Sequence, residues 1–283
     1  MLISTFGVKW GTSYPTRPAT KGGAARPSFP GDFIWYDVMT TDTSASQSFY
    51  RGVFGWDMKD SGVAGHGYTV LSVGSAMVGG LMALPAELKA MGVPPCWTGY
   101  IGVNDVDAEA ARVTAAGGTI RNPAQDIPDV GRYCVVADPQ GVVFILFKPS
   151  GEPPPGPPPA EDALGHAGWR EWMAGNGGAA FDFYAGMFGW TKSDAIDMGP
   201  MGIYQLFAVD GTTRGGIMTK PPEIPGACWR FYFNVEAIDA AAARVTGGGG
   251  QIVHGPMQVP GGRWVVHCVD PQGAFFGMVA PGR

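Results

Sequence analysis

Apolar and polar positions along this chain follow one scheme twice. From Phe33 to Trp56, FIWYDVMTTDTSASQSFYRGVFGW opens with an apolar run of strand length and crosses a turn of small polar residues. It continues as an amphipathic segment in which the Phe49-Tyr50 pair and the later Phe54 and Trp56 share one helical face. From Ala167 to Trp190, AGWREWMAGNGGAAFDFYAGMFGW repeats the scheme, with Trp35/Trp169, Asp37/Glu171, Phe49/Phe183 and Tyr50/Tyr184 in register. Each copy predicts strand, turn, helix, and self-similarity at a fixed offset points to a duplicated architecture.

The matching continues downstream. His66 to Val78 and Gly80 to Leu84 alternate as two strands around a glycine turn would, and Tyr68-Thr-Val-Leu answers Tyr204-Gln-Leu-Phe. Gly79-Gly80-Leu81-Met82 answers Gly215-Gly216-Ile217-Met218, which reads as a strand turn. Cys96 to Val103 and Cys228 to Val235 are aromatic-rich strands. Each leads through Asp107 or Asp239, placed as an N-cap, into an Ala-rich helix that carries Arg112 or Arg244 and stops at Gly-Gly. Each half closes on a hairpin around Asp-Pro-Gln-Gly. Pro139 or Pro271 fixes φ there, and Gly141 or Gly273 takes the positive φ the turn needs.

An internal period of about 130 residues falls within the usual domain size of roughly 100 to 150. We therefore expect residues 1–30 as an irregular leader, 31–148 as the first module, 149–162 as a Pro-rich spacer and 163–283 as the second module. The chain is 45% hydrophobic and 15% charged, enough for two cores and against general disorder. A net charge of −5 without a Lys/Arg cluster argues against nucleic acid as a partner. No run approaches the ~20 apolar residues of a membrane helix, and the first residues lack the apolar core of a signal peptide. A cytoplasmic protein with no membrane partner is expected. Four cysteines without metal-knuckle spacing read as reduced, Cys96 and Cys228 as equivalent core positions, with a disulfide left open.

The leading strand into DxxxxxxFYxxxFGW, the Ala-rich helix ending in Gly-Gly and the GR…DPQG hairpin occur in this order twice. They resemble the vicinal oxygen chelate superfamily of glyoxalase I, bleomycin-resistance proteins and extradiol dioxygenases. More narrowly, the first strand, the GGxM segment and DPQG look like its two-module bacterial subgroup, often labelled glyoxalase-like or hydroxylase-like. The resemblance implies an α+β fold of two tandem βαβββ-type modules with curved mixed sheets enclosing a pocket. It also implies a divalent metal in that pocket, held by a His, Gln or Glu on the first strand and a Glu after the last hairpin. Counting seven residues back from Asp42 and Asn176 reaches Trp35 and Trp169; counting seven forward from Asp138 and Asp270 reaches Ile145 and Gly277. None of these side chains is a metal donor, so no metal and no cofactor are expected, and Gly277 leaves room for a ligand atom.

Alternation then places Asp37 and Glu171, and after them Met39 and Met173, on the same inward face as Trp35 and Trp169. Two carboxylates in one apolar cavity suit proton transfer beside a carbonyl, with Asp37 and Glu171 as acid and base. Trp35, Trp169, Met39, Met173, Tyr68, Tyr204, Ile145, Gly277 and His267 are read as substrate-binding. The competing reading is structural: the carboxylates accept hydrogen bonds from backbone, Tyr68, Tyr204, Arg132 or Arg263. His66, His166 and His254 are scattered and read as loop or satisfied-core residues. The expected function is a metal-independent lyase, isomerase or hydroxylase-like enzyme acting on a small carbonyl or aromatic compound. One alternative is a non-catalytic binding protein of the bleomycin-resistance type, in which tryptophans stack on a flat ligand. The other is a metal-dependent dioxygenase or glyoxalase. A small-molecule ligand is the expected partner, and the protein is expected as a monomer or homodimer.

Overall fold

The computed structural model describes residues 31–62, 67–151 and 159–283. The leader, with Trp10 and Tyr14, lies outside the described residues, as do His66 and the central part of the Pro-rich spacer.

The first module runs β1 (Phe33–Thr40), α1 (Thr43–Phe54), β2 (Asp57–Asp60), β3 (Thr69–Val73), β4 (Ala76–Ala83), the short α2 (Ala86–Ala90), β5 (Cys96–Gly102), α3 (Val106–Ala115), β6 (Thr119–Ile127), β7 (Gly131–Ala137) and β8 (Val143–Pro149). The second runs β9 (Ala167–Ala174), α4 (Gly177–Phe188), β10 (Thr191–Asp197), β11 (Ile203–Val209), β12 (Thr212–Thr219), β13 (Cys228–Asn234), α5 (Ile238–Gly247), β14 (Gln251–Gln258), β15 (Trp264–Val269) and β16 (Phe275–Ala280). Each module is thus βαβββ twice over. The strand orders are β2-β3-β4-β1-β5-β8-β7-β6 and β10-β11-β12-β9-β13-β16-β15-β14, two mixed eight-stranded sheets.

Local chemistry fixes the helix ends. Asp42 and Asn176 cap α1 and α4 by accepting from the amides of Ala45 and Ala179, each at 3.0 Å. The glycine of each FGW ends its helix in the left-handed region, at φ 71° for both Gly55 and Gly189. The second helices depart from expectation. Asp105, not Asp107, caps α3, and Asp107 turns instead to Arg132, 2.7 Å away. Helix α5 has Ala237 as its N-cap, with no side-chain cap bond, and Asp239 holds Arg283 at 2.9 Å.

Two further expectations are corrected. The Gly79-Gly80 and Gly215-Gly216 pairs lie inside β4 and β12 rather than in turns. They are glycine because a Cβ at Gly79 would meet the Tyr36 carbonyl oxygen at 2.5 Å and one at Gly215 would meet that of Arg170. The polar strands β2, β6, β10 and β14 are the third strand that each βαβββ unit implies, and they form the sheet edges. Their charge and their prolines, Pro123 and Pro256, suit strands that have one unpaired side. The four cysteines are free thiols; Cys134 and Cys268 are buried, whereas Cys96 and Cys228 are only partly so.

The described residues form two compact units that cut across the modules. One takes in residues 31–35, 99–151 and 170–229, and the other 36–62, 67–98, 159–169 and 230–283. In the second unit, α1 packs Phe49, Tyr50 and Phe54 among Trp97, Phe233 and Phe276. In the first, α4 packs Phe183, Tyr184 and Phe188 against Phe144, with Trp229 edge-on to Tyr184. Burying each such side chain contributes about 1.5–3 kcal/mol.

The repeated motifs meet inside these units. Tyr50 donates to Asp270 Oδ2 at 2.9 Å and accepts from Trp97 Nε1 at 3.0 Å. Tyr184 donates to Asp138 Oδ2 at 3.1 Å and accepts from Trp172 and Trp229 at 3.2 and 3.0 Å. The other oxygen of each aspartate locks its own turn, accepting from the amides of Gln140 and Val142 or of Gln272 and Ala274. The turn glycines sit at positive φ, 85° for Gly141 and 103° for Gly273. Burial raises the pKa of both aspartates and both tyrosines, against the hydrogen bonds that favour the carboxylates. The two equivalent arginines add a second tie. Arg244 donates to the Val53 carbonyl near the end of α1, and Arg112 to that of Gly186 near the end of α4, both at 2.8 Å.

Candidate functional site

Because side chains alternate along a strand, the aromatics that meet α1 and α4 define the opposite face as well. Trp97, Phe233 and Phe276 pack toward α1, so Tyr232 and Gly277 face away from it. Trp172 packs toward Tyr184 of α4, so Glu171 and Met173 face away from that helix. Trp35, Asp37 and Met39 share one face of β1.

In the unit that holds Asp37, the carboxylate is 3% exposed, and Tyr68 donates to its Oδ1 at 2.7 Å. Register explains the meeting: Asp37 pairs with Gly80 on β4, and Gly80 with Val70 on β3, two residues beyond Tyr68. A side chain at Gly80 would meet Asp37 Oδ1 at 2.5 Å and collide with the Tyr68 hydroxyl. The glycine is what lets phenol and carboxylate meet. Glu171, in the other unit, is also buried. It pairs with Gly216, and Tyr204 lies over that glycine, its hydroxyl 2.5 Å from where a Cβ would stand.

Asp37 and Glu171 belong to different compact units. Each unit thus holds one buried carboxylate beside a glycine that a tyrosine covers. Arg132, one of the expected carboxylate partners, is bound instead to Asp107 and Asp126.

A third tyrosine repeats the motif. Gly277 pairs with Tyr232 on β13 and with His267 on β15. The space above Gly277 is filled by the Tyr232 ring, not left open for a ligand atom. That packing brings the Tyr232 hydroxyl to His267 Nε2, 2.9 Å away. Burial, with Arg230 and His254 nearby, lowers the His267 pKa to about 3, so the ring is neutral at physiological pH. Trp169 and Met257 are partly buried against the cluster of Tyr232, Val265 and Val279.

At the equivalent position in the first module, buried Ile145 pairs with Tyr100 and with Val135. Of the remaining expected residues, Trp35 and Met173 are buried and Met39 is half-buried. Tyr232, Arg230, His254, Gly80 and Gly216 were missed as site residues. A tyrosine three residues after Trp97 and after Trp229 was the available signal for Tyr232.

The chelate positions implied by the resemblance do not fit a divalent metal. Trp35, Trp169, Ile145 and Gly277 offer no donor, and the cradle at Gly277 is occupied by a phenol ring. Among the described residues, no three His, Cys, Asp or Glu side chains are grouped to hold a metal ion. Among them, too, no helix is long and apolar enough to cross a membrane.

Comparison with known proteins agrees with the fold. The chain is 34% identical over 251 residues to CFP32 of Mycobacterium tuberculosis, a protein provisionally named a glyoxylase, covering 87% of this chain and 94% of that protein. It is 30% identical over 270 residues to the anthracycline biosynthesis protein DnrV of Streptomyces peucetius, covering 88% and 93%. Among solved structures, a Mn(II)-bound glyoxalase from Novosphingobium aromaticivorans shares the fold with a TM-score of 0.62 at 17% identity, over 90% of this chain and 83% of that one. The 2,2',3-trihydroxybiphenyl 1,2-dioxygenase of Sphingomonas wittichii strain RW1 does so with a TM-score of 0.63 at 13% identity, over 89% and 90%. Residues 33–146 and 164–277 each match the model of one family. With both modules accounted for, the chain belongs to the Glyoxalase/Bleomycin resistance protein/Dioxygenase superfamily.

Proposed function

We propose that this protein is a glyoxalase-like enzyme in which a buried carboxylate moves a proton at a carbon beside a carbonyl of a small aromatic compound. Asp37, beneath the Tyr68 hydroxyl, is the group proposed to touch substrate in its unit, and Glu171 in the other. The observation that carries the reading is the Asp37–Tyr68 pair. A carboxylate 3% exposed that accepts from a phenol at 2.7 Å is held in a fixed orientation, as a base aimed at a substrate carbon must be. The base takes the proton from carbon, the electron pair passes to the carbonyl oxygen as an enolate, and return of the proton to another carbon completes an isomerisation.

The relatives support the substrate class. One is named for anthracycline biosynthesis, and a half-buried Trp169 offers a flat wall to a fused-ring ketone. With no donor set for a metal at the chelate positions, carboxylate and phenol carry the chemistry in this reading.

Solvent deuterium exchange into 1-tetralone and anthrone, followed by NMR, tests it. The wild type is expected to accelerate exchange. Asp37→Asn is expected to slow it by about 100-fold or more, with ligand affinity and Tm nearly unchanged. Binding that quenches tryptophan fluorescence without any exchange would favour the non-catalytic binding protein instead.

A further inference from the structure

Across β13, β16, β15 and β14, the residues Tyr232, Gly277, His267 and His254 are successive register partners. They stand in one row on one face. The row runs from the interior to solvent: Tyr232 is buried, His267 half-buried and His254 exposed on the edge strand. His267 lies 5.5 Å from His254 and 5.6 Å from Phe275, ring to ring. The Arg230 guanidinium sits 4.5 Å over Phe275 and belongs to the same face as Tyr232, two residues away. The row thus presents a phenol O–H, a neutral imidazole and a fixed positive charge, and Trp169 packs beside it. The same register in the first module reads Tyr100, Ile145, Val135, Asn122.

We propose that the row is an anion-stabilising subsite, in which the Tyr232 hydroxyl, fixed by His267 and flanked by Arg230, binds the ionised oxygen of an enol or phenol whose ring lies against Trp169. The inference deepens the reading of this family member as a handler of aromatic small molecules, but it does not need Asp37 to be a base. His267 carries its proton on Nε2 and donates it to the Tyr232 oxygen. Tyr232 in turn donates its own proton to the ligand, and each bond in such a chain polarises the next. The ligand's O–H proton leaves to solvent on binding. Tyr232 and His267 keep theirs, so no charge is created on the protein.

The probe is p-nitrophenol, whose phenolate absorbs visible light. Bound to the wild type, it is expected to ionise at a pH at least one unit below its free value, a tenfold preference for the anion. Tyr232→Phe is expected to remove that shift and weaken phenolate binding about tenfold. A long-range ¹H–¹⁵N spectrum of the unaltered protein gives a second readout that no misfolded variant can blur, with the His267 proton expected on Nε2. Failure to bind at millimolar probe, ionisation at the free value, an equal shift in Tyr232→Phe, or a proton on Nδ1 overturns the proposal. Each of these is an equilibrium measurement, so they can fail while the deuterium-exchange test of Asp37 succeeds, and the reverse.

Discussion

The two compact units keep their helix-to-turn frame alike and diverge along one row of the opposite face. Tyr50–Asp270 in one unit and Tyr184–Asp138 in the other are near-copies, each with tryptophan donors and two turn amides on the aspartate. On the opposite face, Tyr232, Gly277, His267 and His254 in one unit stand where the other has Tyr100, Ile145, Val135 and Asn122. The contrast follows from what each region can tolerate. A buried network of charge and hydrogen bonds loses more than one bond when one member changes, because every remaining donor is left unsatisfied. The row, which ends on a polar edge strand, tolerates more change, so one unit holds His267 and His254 where its twin holds Val135 and Asn122.

The frame should therefore break hardest. Asp270→Ala and Asp138→Ala each leave a buried tyrosine hydroxyl and two turn amides without their acceptor. At about 1–3 kcal/mol per stranded group, the loss is expected at roughly 3–5 kcal/mol for either variant. Urea unfolding measures it. Equal losses in the two variants would sharpen the equivalence of the units; a loss below about 1 kcal/mol in either would show that the frame does not depend on these bonds.

Gly277→Ala tests the diverged face at its narrowest point. A methyl group there collides with the Tyr232 ring, and the ring must rotate away from His267. Overpacking of this kind costs about 1–3 kcal/mol, read as a fall in Tm, together with loss of the Tyr232–His267 bond, read from the His267 ring shifts. The same position in the first module already holds Ile145, with Tyr100 edge-on to Phe147 at 5.8 Å. An unchanged Tm would mean that Tyr232 has the freedom Tyr100 uses.

How much of this was legible follows the same division. The duplicated DPQG and FYxxxFGW segments were plain as local motifs, and the DPQG turns came out as read, whereas the caps expected at Asp107 and Asp239 did not. That Tyr50 reaches Asp270, 220 residues away, was not legible, because helix-to-turn contacts between modules leave no local periodicity. Gly80, Gly216 and Gly277 looked like turn formers or empty space. Each is glycine on account of a tyrosine, two from the adjoining strand and one from its own register partner, which no single segment reveals. The polar edge strands hid for a different reason, since half of each ladder faces solvent and the apolar alternation disappears. His267 read as facing inward, but its partner Tyr232 looked like one more aromatic in a hydrophobic strand, and the edge residue His254 looked like part of a loop.

The smallest expected effect separates the units by pH. The His267 pKa is lowered to about 3 in the folded chain, against an ordinary value near 6.5 once unfolded. Between those values the unfolded chain takes up a proton that the folded chain refuses, so stability falls as pH drops from about 6.5 toward about 3. Asp138 and Asp270 act with the opposite sign, since burial raises their folded-state pKa and acidification relieves it; His166, lowered by burial, acts with His267. The difference between the wild type and His267→Gln isolates the one ring. Because that ring is only half-buried, we expect roughly 1–2 kcal/mol less acid destabilisation in the variant at pH 4 than in the wild type. Placing a histidine at Val135, the register equivalent in the other unit, should add a comparable acid sensitivity there, since Val135 pairs with a buried Ile145. Parallel pH profiles for the wild type and His267→Gln would show that the row titrates like an ordinary surface histidine, and the distinction drawn between the two units would then reduce to packing alone.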